Sequence, residues 1–195
     1  MSSYIHPTSQ VEEGVVLGEG VKVWHMCQVR SSAIIGKDVS IGKGSYVDVN
    51  VSIGDGSRIQ NYVNIYDGVS IGRNCFVGPA VVFTNDQFPR VGNKSWNIIK
   101  TYMKDGASIG AGAVIRCGIE IGEFAMIGAG AIVTRSVEPF TLVLGFPADK
   151  RKCICACGQT VLPKESSKKD FFRICCDENM SDISKGIALE VIEKL

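Results

Sequence analysis

The 195-residue sequence has almost no net charge: 21 Lys and Arg against 20 Asp and Glu leave a formal charge of +1. That balance supplies no basic field to hold nucleic acid and no acidic field to repel anions, so any partner must be met by local sites. Long apolar runs are also missing. Nothing approaches the ~20 consecutive apolar residues of a membrane span, so no membrane insertion is expected. The beginning, "MSSYIHPTSQ", lacks a charged segment followed by an apolar one, which leads to the expectation of a cytoplasmic protein. In that compartment the eight cysteines stay reduced, and structural, metal or catalytic roles come before disulfides. Histidine is scarce: His6 and His25 are the whole supply, one short of a three-imidazole zinc centre.

Glycine, by contrast, is abundant, at 22 residues, and the apolar residues keep a strict beat. Reading every sixth residue from Ile5 passes through Val11, Leu17, Val23, Val29, Ile35, Ile41, Val47, Ile53, Ile59, Ile65, Ile71 and Val77 to Phe83 without meeting a polar side chain. A second series in a shifted register runs Met103, Ile109, Ile115, Ile121, Ile127, Val133. Four places after most of these apolar residues stands something small or β-branched, Cys27 and Cys75 among them, which marks both cysteines as buried corner residues. A helix would repeat at 3.6 and a hairpin protein at 2, so the period of six predicts a parallel β-helix whose short strands stack coil on coil. Three hexads make a coil of about eighteen residues and ~4.8 Å rise, which predicts six to seven coils. The fold class is therefore all-β, over residues 1–148, with a projecting loop at 84–102 and a cysteine-rich, partly helical appendage at 149–195.

Coil arithmetic also places candidate site residues, since positions eighteen apart share an edge. Asp67 falls beneath Asn85 and Tyr66 beneath Thr84, while Trp24 with Gln60 and His25 with Asn61 are two coils apart. Together with Asn64 these are expected to form one polar ladder along a groove. His25 comes sixty residues before Asn85, about 15 Å lower along the axis, too far for a general base that must reach the reacting group directly or through one water. A loop of this length in a compact domain is usually functional; it carries Arg90 and Lys94 as candidate partners for phosphate or carboxylate.

The repeat resembles that of the hexapeptide acyltransferases over roughly residues 5–148, and a left-handed coil and a homotrimer are what that resemblance implies. Acetylation of a hydroxyl calls for a base such as histidine, and the loop contains none; a neutral amine attacks a thioester unaided. The segments "KVWHMCQV", "RIQNYVNIYDGVSI", "CFVGPAVVFTN", "IGAGAVIRCGIEIGEFAMIGAGAIVT" and "VLGFPA" look like the nucleotide-sugar N-acetyltransferases of bacterial surface-polysaccharide synthesis, in particular those acetylating a 3-amino sugar. Tyr62 and Asn64 vary the usual "IQNNVSVYDG". The resemblance implies acetyl-CoA as co-substrate, a nucleotide-linked amino sugar as partner, Asn85 and Asp67 as catalytic candidates, and Gln60, Asn61, Asn64, Tyr66, Thr84, Trp24 and His25 as substrate contacts. It also implies a CoA site at Gly110, Ala111, Gly128, Ala129, Arg135, Pro147, Lys150 and Arg151. A non-catalytic β-helix scaffold and an O-acetyltransferase are the alternatives. In the appendage, Cys155, Cys157, Cys175 and Cys176 resemble the zinc-ribbon-like tails of some relatives, although the pairs read C-x-C and C-C rather than C-x-x-C twice. "SDISKGIALEVIEKL" spaces Ile183, Ile187, Val191 and Leu195 by four, which predicts a helix packing on the coil end.

Overall fold

A computed structural model describes residues 2–163, 166–167, 170–172 and 174–195, with the backbone alone at Ile174 and Cys175. Twenty short strands recur from Tyr4–Ile5 to Ile132–Val133, one for each apolar beat of the sequence. Within each two-residue strand from Lys22–Val23 on, the second residue points into the prism and is buried; the first faces out. The strands stack in three parallel sheets, here faces A, B and C, and successive hexads step from A to B to C. The chain is a left-handed parallel β-helix. Its interior is a column of Ile and Val closed by Phe83 and Met103 where the two registers meet.

Eight levels are present on face A, one more than the sequence beat predicts, because Thr141–Leu144 adds a strand on Met126–Ile127 without a hexapeptide leading into it. At the other end Ile5 is 41% exposed and Val11 and Leu17 only half-buried, for among the described residues no coil lies beneath them.

Corners are held by backbone geometry and small hydroxyls or thiols. Met26, Asn50, Tyr62, Asn74 and Ala80 take left-handed backbone angles there, with φ between 50° and 59°. The Ser57 hydroxyl donates to the Gly72 carbonyl (2.8 Å) and accepts the Cys75 N–H (3.0 Å). Cys75 fills the same slot one coil up, its thiol donating to the Lys104 carbonyl, and burial above all pushes that thiol up to about 12. Both corner cysteines behave as the pattern predicts, as small, inert core groups.

After Ala148 the strand Lys150–Ile154 runs back antiparallel along Thr141–Leu144, and Val161–Leu162 pairs with it in turn, so the appendage continues face A. Two helices follow, α1 (Ile174–Asn179) and α2 (Asp182–Lys194). The α2 helix buries Ile187, Ala188 and Val191 against Phe124 and Phe140, which stack at 5.4 Å. It thus lies along the edge between faces C and A, where Glu190 reaches Arg73 at 3.5 Å, and not on the coil end as the four-residue spacing suggested. Ile183 and Leu195, counted in that spacing, are exposed at 72% and 45%; the buried stripe takes Ala188 instead.

Candidate active site

The expected single ladder divides between two edges of the prism. Trp24, His25, Gln60 and Asn61 follow face A strands (Lys22–Val23, Arg58–Ile59) and stand on the edge between faces A and B. Tyr66, Asp67, Thr84 and Asn85 follow face B strands (Asn64–Ile65, Val82–Phe83) and stand on the edge between B and C. Asn64 is on face B between them. The physical reason is the period itself: a step of eighteen residues returns to the same edge, but the six from Asn61 to Asp67 move the chain one edge on.

On the A/B edge, the lower coils form an aromatic and amide surface. His6 and His25 stack at 3.5 Å, Tyr4 packs on Trp24 at 5.7 Å, and the Trp24 indole donates to Ser40 (3.1 Å). Local desolvation, and then the neighbouring His25, hold the His6 imidazole below its usual range. Trp24, His25, Lys43, Gln60 and Asn61 line a cleft of about 280 Å³. Trp24 and Gln60 also wall an adjoining one of about 430 Å³ with Lys22, Ser40 and Arg58. The Asn61 carboxamide caps the coil below by accepting the Lys43 N–H (3.0 Å), so its oxygen serves the fold first. Lys22, Ser40 and Arg58 were absent from the sequence-based candidates, although their spacing of eighteen on face A is the signal that finds them.

Higher on this edge the side chains shrink to Gly110, Ala111, Gly128 and Ala129, and the Gly145–Ala148 turn, with the exposed Pro147, folds over Ile132 through the Ala148 N–H (2.9 Å). Gly110 is required by stacking, since a Cβ there would sit 2.5 Å from the Ala129 nitrogen, whereas a Cβ at Gly130 would meet nothing within 4 Å. The edge therefore has a smooth, open outer side above a polar, aromatic lower one. Lys150 and Arg151 start the returning strand beside it, the Arg151 guanidinium bonding the Ser136 carbonyl (3.2 Å); Arg135 is exposed at the top of the B/C edge.

The B/C edge is interlocked. Glu12, Arg30, Asp48, Tyr66 and Thr84 succeed one another at eighteen-residue steps. Arg30 bonds both Glu12 (3.4 Å) and Asp48 (3.1 Å), and the Tyr46 hydroxyl donates to Asp48 (2.9 Å). Burial alone would raise the Asp48 carboxyl, but the Val49 N–H, the Tyr46 hydroxyl, the Asp67 N–H and Arg30 outweigh it and hold it below its ordinary value. Asp67 takes a hydrogen bond from Asn50 (3.3 Å). The Thr84 hydroxyl accepts the Cys117 N–H (3.0 Å), which makes Thr84 a support for the next coil as much as a contact surface.

At Asn85 the edge opens. Its carbonyl accepts the Ile99 N–H (3.3 Å), pinching the neck of the loop, while the loop beyond bonds to itself, as from the Phe88 N–H to Asp86 (2.8 Å) and from the Ser95 N–H to Asn93 (2.9 Å). Arg90 and Lys94 are exposed within it. The chain then rejoins face C at Thr101–Met103 in register with Val69–Ile71. Asn85 is half-buried at this pinched neck, one coil above Asp67, and among the described residues its carboxamide makes no hydrogen bond of its own.

In the tail, the sulfurs of Cys155, Cys157 and Cys176 lie within 4.8 Å of one another. The expected set of four is therefore brought together in three members; the side chain of Cys175 lies outside the described residues.

Residues 50–85 and 100–135 match the bacterial transferase hexapeptide (six repeats), and residues 32–67 the hexapeptide repeat of succinyl-transferase. Those matched repeats are the segments whose apolar beats form the strands of the β-helix. Over 58 residues, 30% of each chain, it is 48% identical to the dTDP-3-amino-3,6-dideoxy-alpha-D-galactopyranose 3-N-acetyltransferase of Aneurinibacillus thermoaerophilus. It is 30% identical to serine acetyltransferase 2 of Arabidopsis thaliana over 95% of this chain and 43% of that one. Among solved structures it resembles PerB of Caulobacter crescentus, in complex with CoA and GDP-perosamine, with 27% identity, a TM-score of 0.50, and coverage of 77% of this chain and 56% of that one. The chain spans less than half the length of these two curated relatives. Among the described residues no helix is long and apolar enough to cross a membrane.

Proposed function

We propose that this chain is an acetyl-CoA-dependent N-acetyltransferase that modifies the C3 amino group of a nucleotide-linked amino sugar for bacterial surface polysaccharide, working in the cytoplasm as a homotrimer. The observation that carries the reading is the division of the polar candidates between two edges that flank one face. Face B presents Val82, Val114 and Ile132 outward in its upper coils. A three-fold axis along that face sets the A/B edge of one subunit against the B/C edge of the next. The half-site with Trp24, Gln60 and the smooth Gly110–Ala129 strip then faces the half-site with Asn85, Asp67 and the loop. In one prism they point apart.

In that arrangement the nucleotide lies on the Trp24 and Gln60 surface, where Lys22, Lys43 and Arg58 offer charge to its phosphates. The pantetheine arm runs along the open side of Gly110 to Gly130, toward Lys150 and Arg151, and the loop with Arg90 and Lys94 covers the sugar. The neutral amine forms its C–N bond to the thioester carbonyl carbon, the C–S bond then breaks, and the ammonium proton leaves with the CoA sulfur. Asn85 orients the amine through an amide that donates and accepts but takes no proton. O-acetylation is disfavoured, since His25 lies about 15 Å below Asn85 along the coil axis and His6, stacked on it, lower still, a difference in height that a three-fold axis does not remove. The dTDP-linked amino sugar of the Aneurinibacillus relative and the GDP-perosamine held by PerB support the amino-sugar reading over a scaffold role.

Thiol release from acetyl-CoA against a panel of UDP-, dTDP- and GDP-linked amino sugars tests it, with the product located by NMR. Release with a 3-amino sugar is expected; no release with any amino sugar, by protein that binds CoA, overturns the proposal.

A further inference from the structure

The tail holds a second chemical site that acetyl transfer does not use. The segment Cys155-Ala156-Cys157-Gly158 leaves the strand Lys150–Ile154 and wraps around a sulfur. The Gly158 N–H returns to the Cys155 carbonyl (2.9 Å) at a φ of +78°, the Cys155 N–H donates to the Thr160 carbonyl (3.0 Å), and the Thr160 N–H donates to the Cys155 sulfur itself (3.3 Å). Cys176 enters from α1, far along the chain, and is fully buried with Cys155 beside Leu162, Phe171, Phe172 and Met180; Cys157 is half-buried. The Cys155 and Cys157 sulfurs are 3.3 Å apart, and all three lie within 4.8 Å.

We propose that Cys155, Cys157 and Cys176 bind one zinc ion. Zinc–sulfur bonds of ~2.3 Å in a tetrahedron set sulfur–sulfur separations near 3.8 Å, so the three atoms close on the ion by side-chain adjustment alone. The Thr160 N–H aimed at Cys155 is the outer contact that a metal-held thiolate needs, since it stabilises the charged sulfur and fixes its direction. On binding, three thiols release three protons to solvent, and the site carries one net negative charge with a water or further donor in the fourth place. One of the three sulfurs comes from a helix. Its consequence is mechanical. The ion joins the returning hairpin to α1, and α1 leads directly into α2, whose Ile187 and Val191 clamp Phe124 and Phe140. The metal thus fastens the tail at one end and the prism edge fastens it at the other.

The full-length chain, produced in zinc-supplemented medium and purified without chelator, should contain about one zinc per chain by elemental analysis. Cys157→Ser and Cys176→Ser should each remove most of it, while Cys117→Ala, in the prism, should not. Cobalt added to the chelator-treated wild-type chain should give thiolate-to-cobalt charge-transfer absorption, a readout that needs neither variant to fold nor the acetyl transfer to be correctly assigned. Zinc-free protein with no cobalt band, or a Cys155–Cys157 disulfide by mass spectrometry of freshly purified chain, would overturn the proposal.

Discussion

The A/B and B/C edges are built from the same hexapeptide, yet they use their outward residues in opposite ways. On the B/C edge the side chains of successive coils bond one another, Glu12 to Arg30 to Asp48, so that polar chemistry is consumed as scaffold until the chain reaches Asn85. On the A/B edge they stack or stand clear, as His6 on His25 and Trp24 over Ser40, and leave clefts between coils. In a solenoid, then, a polar residue is informative about function in proportion to how little its neighbours one coil up and down engage it.

The comparison breaks most sharply at Asn85. Asn85→Ala should lower kcat by ~10²–10³, the usual cost of losing one preorganised polar contact, with little change in melting temperature. A variant that retains near-normal kcat in steady-state assays would return Asn85 to the scaffold side. Next in size is a test of whether the two edges serve one site. Asn85→Ala and Trp24→Ala chains, each weak alone, should regain activity when denatured, mixed and refolded together, because a mixed trimer contains junctions with both edges intact. Mixtures no more active than the separate variants, in oligomers that light scattering shows to be trimeric, would put both halves of the site on one subunit.

A smaller effect is expected from the interlocked edge. Asp48→Asn removes the negative charge that Arg30 and Tyr46 share and turns one of the two carboxylate oxygens into a donor, and should cost about 1 kcal/mol at neutral pH, after allowance for solvent at this half-open position. That is a drop of about 2–4 °C in Tm for a chain of this size. Because the Asp48 carboxyl is held below its ordinary 3.8, its contribution is complete above that pH and disappears as the pH falls through the lower folded value. Wild type and variant should therefore converge in stability toward acid, and a gap that stays unchanged down to the acid limit of the folded state would contradict the ion-pair account. The smallest effect belongs to His25→Ala, which should raise KM for the nucleotide sugar and leave kcat near normal; loss of kcat at constant KM would make the imidazole a proton carrier after all.

Much of this was legible because a β-helix writes its fold as a period. Every apolar beat from Ile5 to Val133 is a strand, and the break at Phe83 is the loop. The distribution of site residues over edges was not, since the period says which residues stack but draws no line between an edge and its neighbour six residues away. The tail resisted for another reason. Its contacts are made once, by aromatic stacking of Phe124, Phe140 and Phe171 and by a helix with Ala188 in its buried stripe, so no repetition in the sequence announces them.

The loop also has a consequence for the order in which the chain assembles. On either side of the loop the hexapeptide strands pair at eighteen-residue steps, so a coil, once formed, is the template for the next and growth proceeds as a zipper. From Ile71 to Met103 the step is 32 residues. Closing that longer loop adds only about 0.5 kcal/mol of chain entropy by the logarithmic rule, so equilibrium stability hardly registers the insertion. Kinetics does: nucleation on either side is local, and joining the two stacks is the one event that has to wait for a distant segment. The same residues that mark the candidate active site are therefore the seam along which two half-solenoids meet.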